Sequence, residues 1–122
     1  MDKRKDNEPP FAISKKKMRF HHIGIPTKEI KPNEKYLEQY KMYVSGFETS
    51  EFGIEWMRFE EGSLVSKIIQ KIPHIAFEVE DLNVAIQGRQ MIGEINSPSN
   101  GVKVAMITEN GALVELLEFK KK

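Results

Sequence analysis

Two histidines and two glutamates carry the chemistry this sequence offers, and they come in the same order twice. His22 stands in Arg19-Phe20-His21-His22-Ile23-Gly24-Ile25 and His74 in Lys71-Ile72-Pro73-His74-Ile75-Ala76-Phe77. Glu55 stands in Gly53-Ile54-Glu55-Trp56-Met57-Arg58-Phe59 and Glu115 in Leu113-Val114-Glu115-Leu116-Leu117-Glu118-Phe119. In each copy the apolar segment with His precedes the one with Glu, by 33 residues (55 − 22) and then 41 (115 − 74). Two imidazoles and two carboxylates form a donor set that suits a divalent metal, with Ni, Co, Zn, Mn and Fe not distinguished and two positions left for water or substrate. A lone strand His is more often a hydrogen-bonded core residue, and a lone strand Glu more often sits on a wet face. The matched recurrence of all four favours one shared site built from His22, Glu55, His74 and Glu115.

Side chains alternate across a strand, which places each candidate among its neighbours. His22 shares a face with Phe20 and Gly24, and His74 with Ile72 and Ala76, so a small residue two positions on leaves room beside each imidazole. Glu55 lies with Met57 and Phe59, and Glu115 with Leu113, Leu117 and Phe119. A carboxylate in such company is costly to bury unless a cation or hydrogen bonds compensate it. His21 falls on the opposite face and aligns with Pro73, so it is expected outside the site.

The elements that must hold these residues are readable in outline. Strands are expected over Met18 to Pro26, Gly53 to Phe59, Ile72 to Val79, Val102 to Thr108 and Ala112 to Phe119. Lys31-Pro32-Asn33-Glu34 resembles a helix start, with Tyr36, Leu37, Tyr40, Met42 and Tyr43 as a buried stripe to about Ser45-Gly46. Asp81 can cap a short helix to about Gln87; residues 88 to 94 fit no element clearly; Ile95 to Gly101 is turn chemistry, and Glu109-Asn110-Gly111 a hairpin turn. The second half therefore reads β, α, weak strand, β, β, and the first half is an abbreviated copy.

At 122 residues, two such halves belong to one domain. Residues 1–17 read as a polar basic tail and 18–122 as a single domain of two modules, about 18–60 and 72–119. The balance of 19 Lys and Arg against 18 Asp and Glu gives a net charge of +1, with no pull toward nucleic acid. The clusters Lys3-Arg4-Lys5, Lys15-Lys16-Lys17 and Lys120-Lys121-Lys122 are expected to be solvated, and Arg58, Arg89 and Lys103 to be surface charges rather than an anion site. No apolar run is long enough to span a bilayer, so no membrane partner is expected. The polar start and the lack of cysteine fit a cytoplasmic protein and exclude thiolate ligands or a cysteine nucleophile. No phosphate-binding glycine loop or serine elbow is present.

The segments "HHIGIP", "PHIAFEVEDL" and "NGALVELLEF" resemble the vicinal oxygen chelate superfamily, over about Met18 to Phe119. That group includes glyoxalase I, methylmalonyl-CoA epimerase, fosfomycin-resistance transferases, extradiol dioxygenases and bleomycin-resistance proteins. The resemblance implies an α+β fold of paired βαβββ modules, their sheets curled around a metal-centred cleft; this chain departs from it in a first module 8 residues shorter between His and Glu (41 − 33), a shortening expected in the middle hairpin. It also implies metal ligands from the first and last strand of each module, which fall on His22, Glu55, His74 and Glu115, the pattern of the glyoxalase and epimerase members. The activity implied is that of a metal-dependent lyase or isomerase acting on a small molecule with adjacent oxygens through an enediolate, with Glu55 or Glu115 moving the proton. Small-molecule sequestration, epoxide transfer and oxygen-dependent ring cleavage are the alternatives. A homodimer is expected, because an abbreviated module leaves sheet edge for a second chain to cover.

Overall fold

The apolar segments that alternate with period two become strands of a single sheet. The structure is a computed structural model that describes residues 6–120, so Lys3-Arg4-Lys5 and Lys121-Lys122 lie outside the described residues. In chain order the elements are α1 (Phe11–Ser14), β1 (Arg19–Pro26), β2 (Lys35–Leu37), β3 (Met42–Ser45), β4 (Ile54–Phe59), α2 (Lys67–Lys71), β5 (His74–Glu78), α3 (Leu82–Ala85), β6 (Gln90–Asn96), β7 (Val102–Glu109) and β8 (Ala112–Phe119). The strands lie in the order β2-β3-β4-β1-β5-β8-β7-β6. Within each half the last strand runs parallel to the first, β4 beside β1 and β8 beside β5. The halves join where β1 meets β5 antiparallel. The mixed sheet curls, leaving a concave cleft face and a convex outer face.

The second half carries the full βαβββ order. Asp81 accepts a hydrogen bond from the Val84 N–H, the N-cap expected of it. Glu118 receives the Leu82 N–H at 2.7 Å, which ties the start of α3 to β8. Leu82 then seats on the outer face among Phe77, Val79, Ala105, Ile107 and Leu116, the main apolar core. Asn110 and Gly111 both have positive φ, as the tight hairpin from β7 to β8 requires. Of the unclear stretch 88–94, residues 90–94 belong to β6, which also takes Ile95 and Asn96 from the expected turn.

The helix expected from Lys31 to Gly46 does not form. Its residues make β2 and β3, with a short 3-10 turn at Glu38–Tyr40 between them and Lys41 in the left-handed region. Aromatic and β-branched residues such as Tyr36, Tyr43 and Val44 suit a pleated surface, and β3 gains a full antiparallel partner in β4, from Met42 opposite Phe59 to Ser45 opposite Trp56. The first module is thus short in two places: it has no helix between β1 and β2, and its middle hairpin, as expected, is cut down, with strands of 3 and 4 residues where β6 and β7 have 7 and 8. The connector 27–34 occupies the outer face instead. Lys31 lies over the Trp56 ring, and Arg58, stacked on Tyr43, binds Glu34 through two hydrogen bonds of 2.7 and 2.8 Å.

Candidate metal centre

Strand pairing sets out the four candidate residues as two crosswise rows at the centre of the cleft face. In one row His22 stands opposite Ala76, and Ala76 opposite Glu115. In the other Glu55 stands opposite Gly24, and Gly24 opposite His74. Each row therefore holds one His, one Glu and a small residue between them. The small residues make room for the imidazole of the opposite module, not for their own. A Cβ on Gly24 would lie 2.7 Å from His74 Nε2 and 2.9 Å from Nδ1, so the ring rests on the bare backbone of β1.

The side chains converge. His22 Nε2 is 3.3 Å from His74 Nε2 and 3.2 Å from Glu115 Oε1, and His74 Nε2 is 3.3 Å from the same oxygen. Glu55 Oε1 approaches His22 Nε2 at 3.5 Å, and its side chain is 24% exposed, turned into the cleft rather than to bulk solvent. Among the described residues, His22, His74 and Glu115 form the set whose donor atoms all lie within 4.8 Å of one another. Glu55 stands beside that set. All four belong to one chain, so no exchange between subunits is needed to gather them.

His21 departs from the sequence reading in its face but not in its place outside the donor set: it lines the cleft, and the three converging donors do not include it. The β1–β5 register slips between Phe20 and His22, a bulge that turns Phe20 onto the outer face against Phe77 and brings His21 round to the cleft. There His21 Nδ1 meets His22 Nδ1 at 2.8 Å, and its ring stacks on Phe47. One of the two nitrogens donates to the other; with the proton on His22, its Nε2 presents a lone pair to the centre. Burial and then the neighbouring His22 lower the His21 pKa, keeping that ring neutral near pH 7.

The carboxylates are set apart electrostatically. Burial alone would raise the Glu115 carboxyl, but hydrogen bonds from His22 and His74 and their charge outweigh it and bring it down to about 2. Glu55 is raised, chiefly by burial, which its attraction to His22 does not offset. One carboxyl is thus a firm anion, and the other is the better proton carrier.

The donor set fits a divalent ion. Two donors about 2.0–2.2 Å from one ion, at octahedral or tetrahedral angles, stand roughly 2.8–3.6 Å apart. The three separations above are 3.2 and 3.3 Å. Lone pairs this close repel unless a proton or a cation lies between them. His74 Nδ1 is buried with no hydrogen-bond partner among the described residues, and the ring packs on Gly24.

The cleft above the centre measures about 810 Å³. Its walls come from both modules, and the connector residues Leu64, Val65, Ser66 and Ile69 overhang it. At the rim Gln39 donates to the Pro98 carbonyl at 3.0 Å, and the Tyr40 hydroxyl to Asn96 Oδ1 at 3.3 Å, joining the modules across the opening. These rim residues have no signature in the sequence, because they meet only when the sheet curls.

No protein-family model matches the sequence, and no curated protein matches it. Solved structures do. A hypothetical protein from Bacillus halodurans C-125 is similar at 27% identity and a TM-score of 0.67, covering 86% of this chain and 96% of that one. A methylmalonyl-CoA epimerase from Mycobacterium tuberculosis is similar at 20% identity and a TM-score of 0.58, covering 84% and 89%. The fold is the glyoxalase-like fold of the vicinal oxygen chelate proteins. Sequence and structure agree on that α+β architecture, and the His22, His74 and Glu115 cluster within it could hold a metal ion.

Proposed function

We propose that the chain is a divalent-metal-dependent isomerase or lyase that moves a proton at carbon in a small molecule with adjacent oxygens. The observation that carries this reading is the convergence of His22 Nε2, His74 Nε2 and Glu115 Oε1 at the floor of an open cleft, with Glu55 at its edge. The likeness to a methylmalonyl-CoA epimerase in fold supports it. His22, His74 and Glu115 would hold the ion, with Glu55 as a fourth donor in the absence of substrate. The ion would supply Lewis acidity, drawing electrons from a carbonyl oxygen and so acidifying the neighbouring C–H.

The protein's own groups do the rest. Gly24 and Ala76 let the two imidazoles approach each other across β1 and β5. Glu115, a carboxylate at any working pH, anchors the centre. Glu55 is the proton carrier: it lies outside the tight three-donor set and faces the cleft, so its Oε1 can accept a proton from carbon and return it to a neighbouring atom on the same face.

Solvent deuterium exchange tests the reading. Metal-loaded protein should exchange the hydrogen on carbon beside a carbonyl in at least one compound of a panel of 2-oxo thioesters, hemithioacetals and hydroxyketones. Glu55→Gln should slow that exchange by about 10²–10⁴ while metal stays bound. Exchange at wild-type speed in Glu55→Gln removes Glu55 from the role, and no exchange across the panel counts against the proton-transfer reading itself.

A further inference from the structure

We infer that the cleft selects an uncharged, apolar-bodied substrate and turns anionic ones away. The inference rests on the proposed use of the metal centre and names the substrate class that centre would serve. Met42, Val44 and Met57 cover one wall, and Val104, Met106 and Leu117 the other. Leu64 overhangs the mouth with 94% of its surface exposed, an apolar side chain that gains cover when a substrate's apolar body lies beneath it.

The charges in the cleft are of one sign. Glu55, Glu94 and Glu115 line it, and among the described residues no Lys or Arg does. Four basic residues near the sheet are engaged elsewhere: Arg58 with Glu34 and Lys31 over Trp56 on the outer face, Lys103 with Glu118, and Arg19 with Glu78. A divalent ion would balance Glu55 and Glu115, and Glu94, exposed at the cleft edge, adds a third negative charge. A carboxylate or phosphate on the substrate would then give up its hydration for walls that offer neither a bidentate guanidinium nor an ammonium. The uncharged rim groups Gln39 and Asn96 are already paired with the opposite module or its partner side chain. A cleft of about 810 Å³ holds a drug-sized body, and its chemistry suits one such as an alkyl or aryl hydroxyketone.

Two matched probes test this. Octanohydroxamic acid and suberic monohydroxamic acid share a pair of chelating oxygens and an eight-carbon chain; only the second ends in a carboxylate. Calorimetric titration of both into zinc-loaded and metal-free protein should show the first binding at least ~10-fold tighter in each form. Leu64→Lys, at an exposed rim position, should narrow that gap by tightening the carboxylate probe. Equal affinities, a preference for the carboxylate, no measurable binding of either probe at millimolar concentration, or no gain in Leu64→Lys would each overturn the inference. If the preference persists but zinc improves neither probe, the selectivity stands and the metal reading falls, so the two failures are distinguishable.

Discussion

Gly24→Ala should damage the metal centre through one methyl group placed on the strand opposite His74. The added Cβ would lie 2.7 Å from His74 Nε2 and 2.9 Å from Nδ1. Favourable contacts between heavy atoms need about 3.5–4.0 Å, so the ring must withdraw by roughly 1 Å. Gly24 is not among the residues of positive φ, so alanine fits the backbone and gains about 0.4–1 kcal/mol by restricting the unfolded chain. Overpacking costs about 1–3 kcal/mol, leaving a net loss of roughly 0–2.5 kcal/mol and a folded protein. The site loses more than the fold, because Nε2 is one of three converging donors. Metal affinity should fall by at least ~100-fold. Competition with a chromophoric chelator measures the affinity, and thermal unfolding of metal-free protein measures the stability. In a His74→Ala background the same methyl should change affinity less than about 2-fold, since no ring remains to be displaced. Wild-type affinity in Gly24→Ala, or an equal loss in both backgrounds, would refute the reasoning.

Three further outcomes are expected. His21→Ala should weaken metal binding by about 10-fold in the same titration, because His22 loses the partner that orients its ring. The glutamine variants should move metal-free stability in opposite directions. Glu115, lowered from 4.5 to about 2, contributes stability that is present above pH 4.5 and lost as pH falls toward 2, on the order of 3 kcal/mol from (4.5 − 2) × 1.36. Glu115→Gln should therefore lower the melting temperature at pH 7 and flatten its fall in acid. Glu55, whose pKa is raised, favours the fold below its unfolded pKa and loses that contribution as pH rises through the folded value, so Glu55→Gln should raise the melting temperature at pH 7. Leu82→Ala should cost about 2–5 kcal/mol in chemical unfolding, since Leu82 is buried in the core and anchors α3.

The four central residues were legible in the sequence because period-two alternation reports faces and duplication reports equivalence. Glu55 beside Met57 and Glu115 beside Leu117 could be placed without coordinates. His21 could not, since one bulge residue reverses the parity of everything before it and leaves no local signature. The stretch from Tyr36 to Tyr43 misled for a different reason: its apolar spacing satisfies a helical stripe and a pair of short strands alike, and the decision lies in the long-range pairing of β3 with β4. The role of Gly24 was half visible. Its small size suggested room for an imidazole, but only the antiparallel register of β1 and β5 shows that the imidazole is His74. The homodimer remains a proposal, checked by sedimentation at micromolar concentration; a monomer there would end it.

The central claim is that His22, His74 and Glu115 form one metal-binding centre. Metal analysis after equilibration with a first-row divalent ion and gel filtration tests it most directly. The account predicts one ion per chain in the wild type, with at least a 10-fold weaker ion affinity in each of His22→Ala, His74→Ala and Glu115→Ala, and retention of the ion in Glu55→Gln. No bound ion at micromolar metal, or an ion that survives all three alanine substitutions, would contradict it.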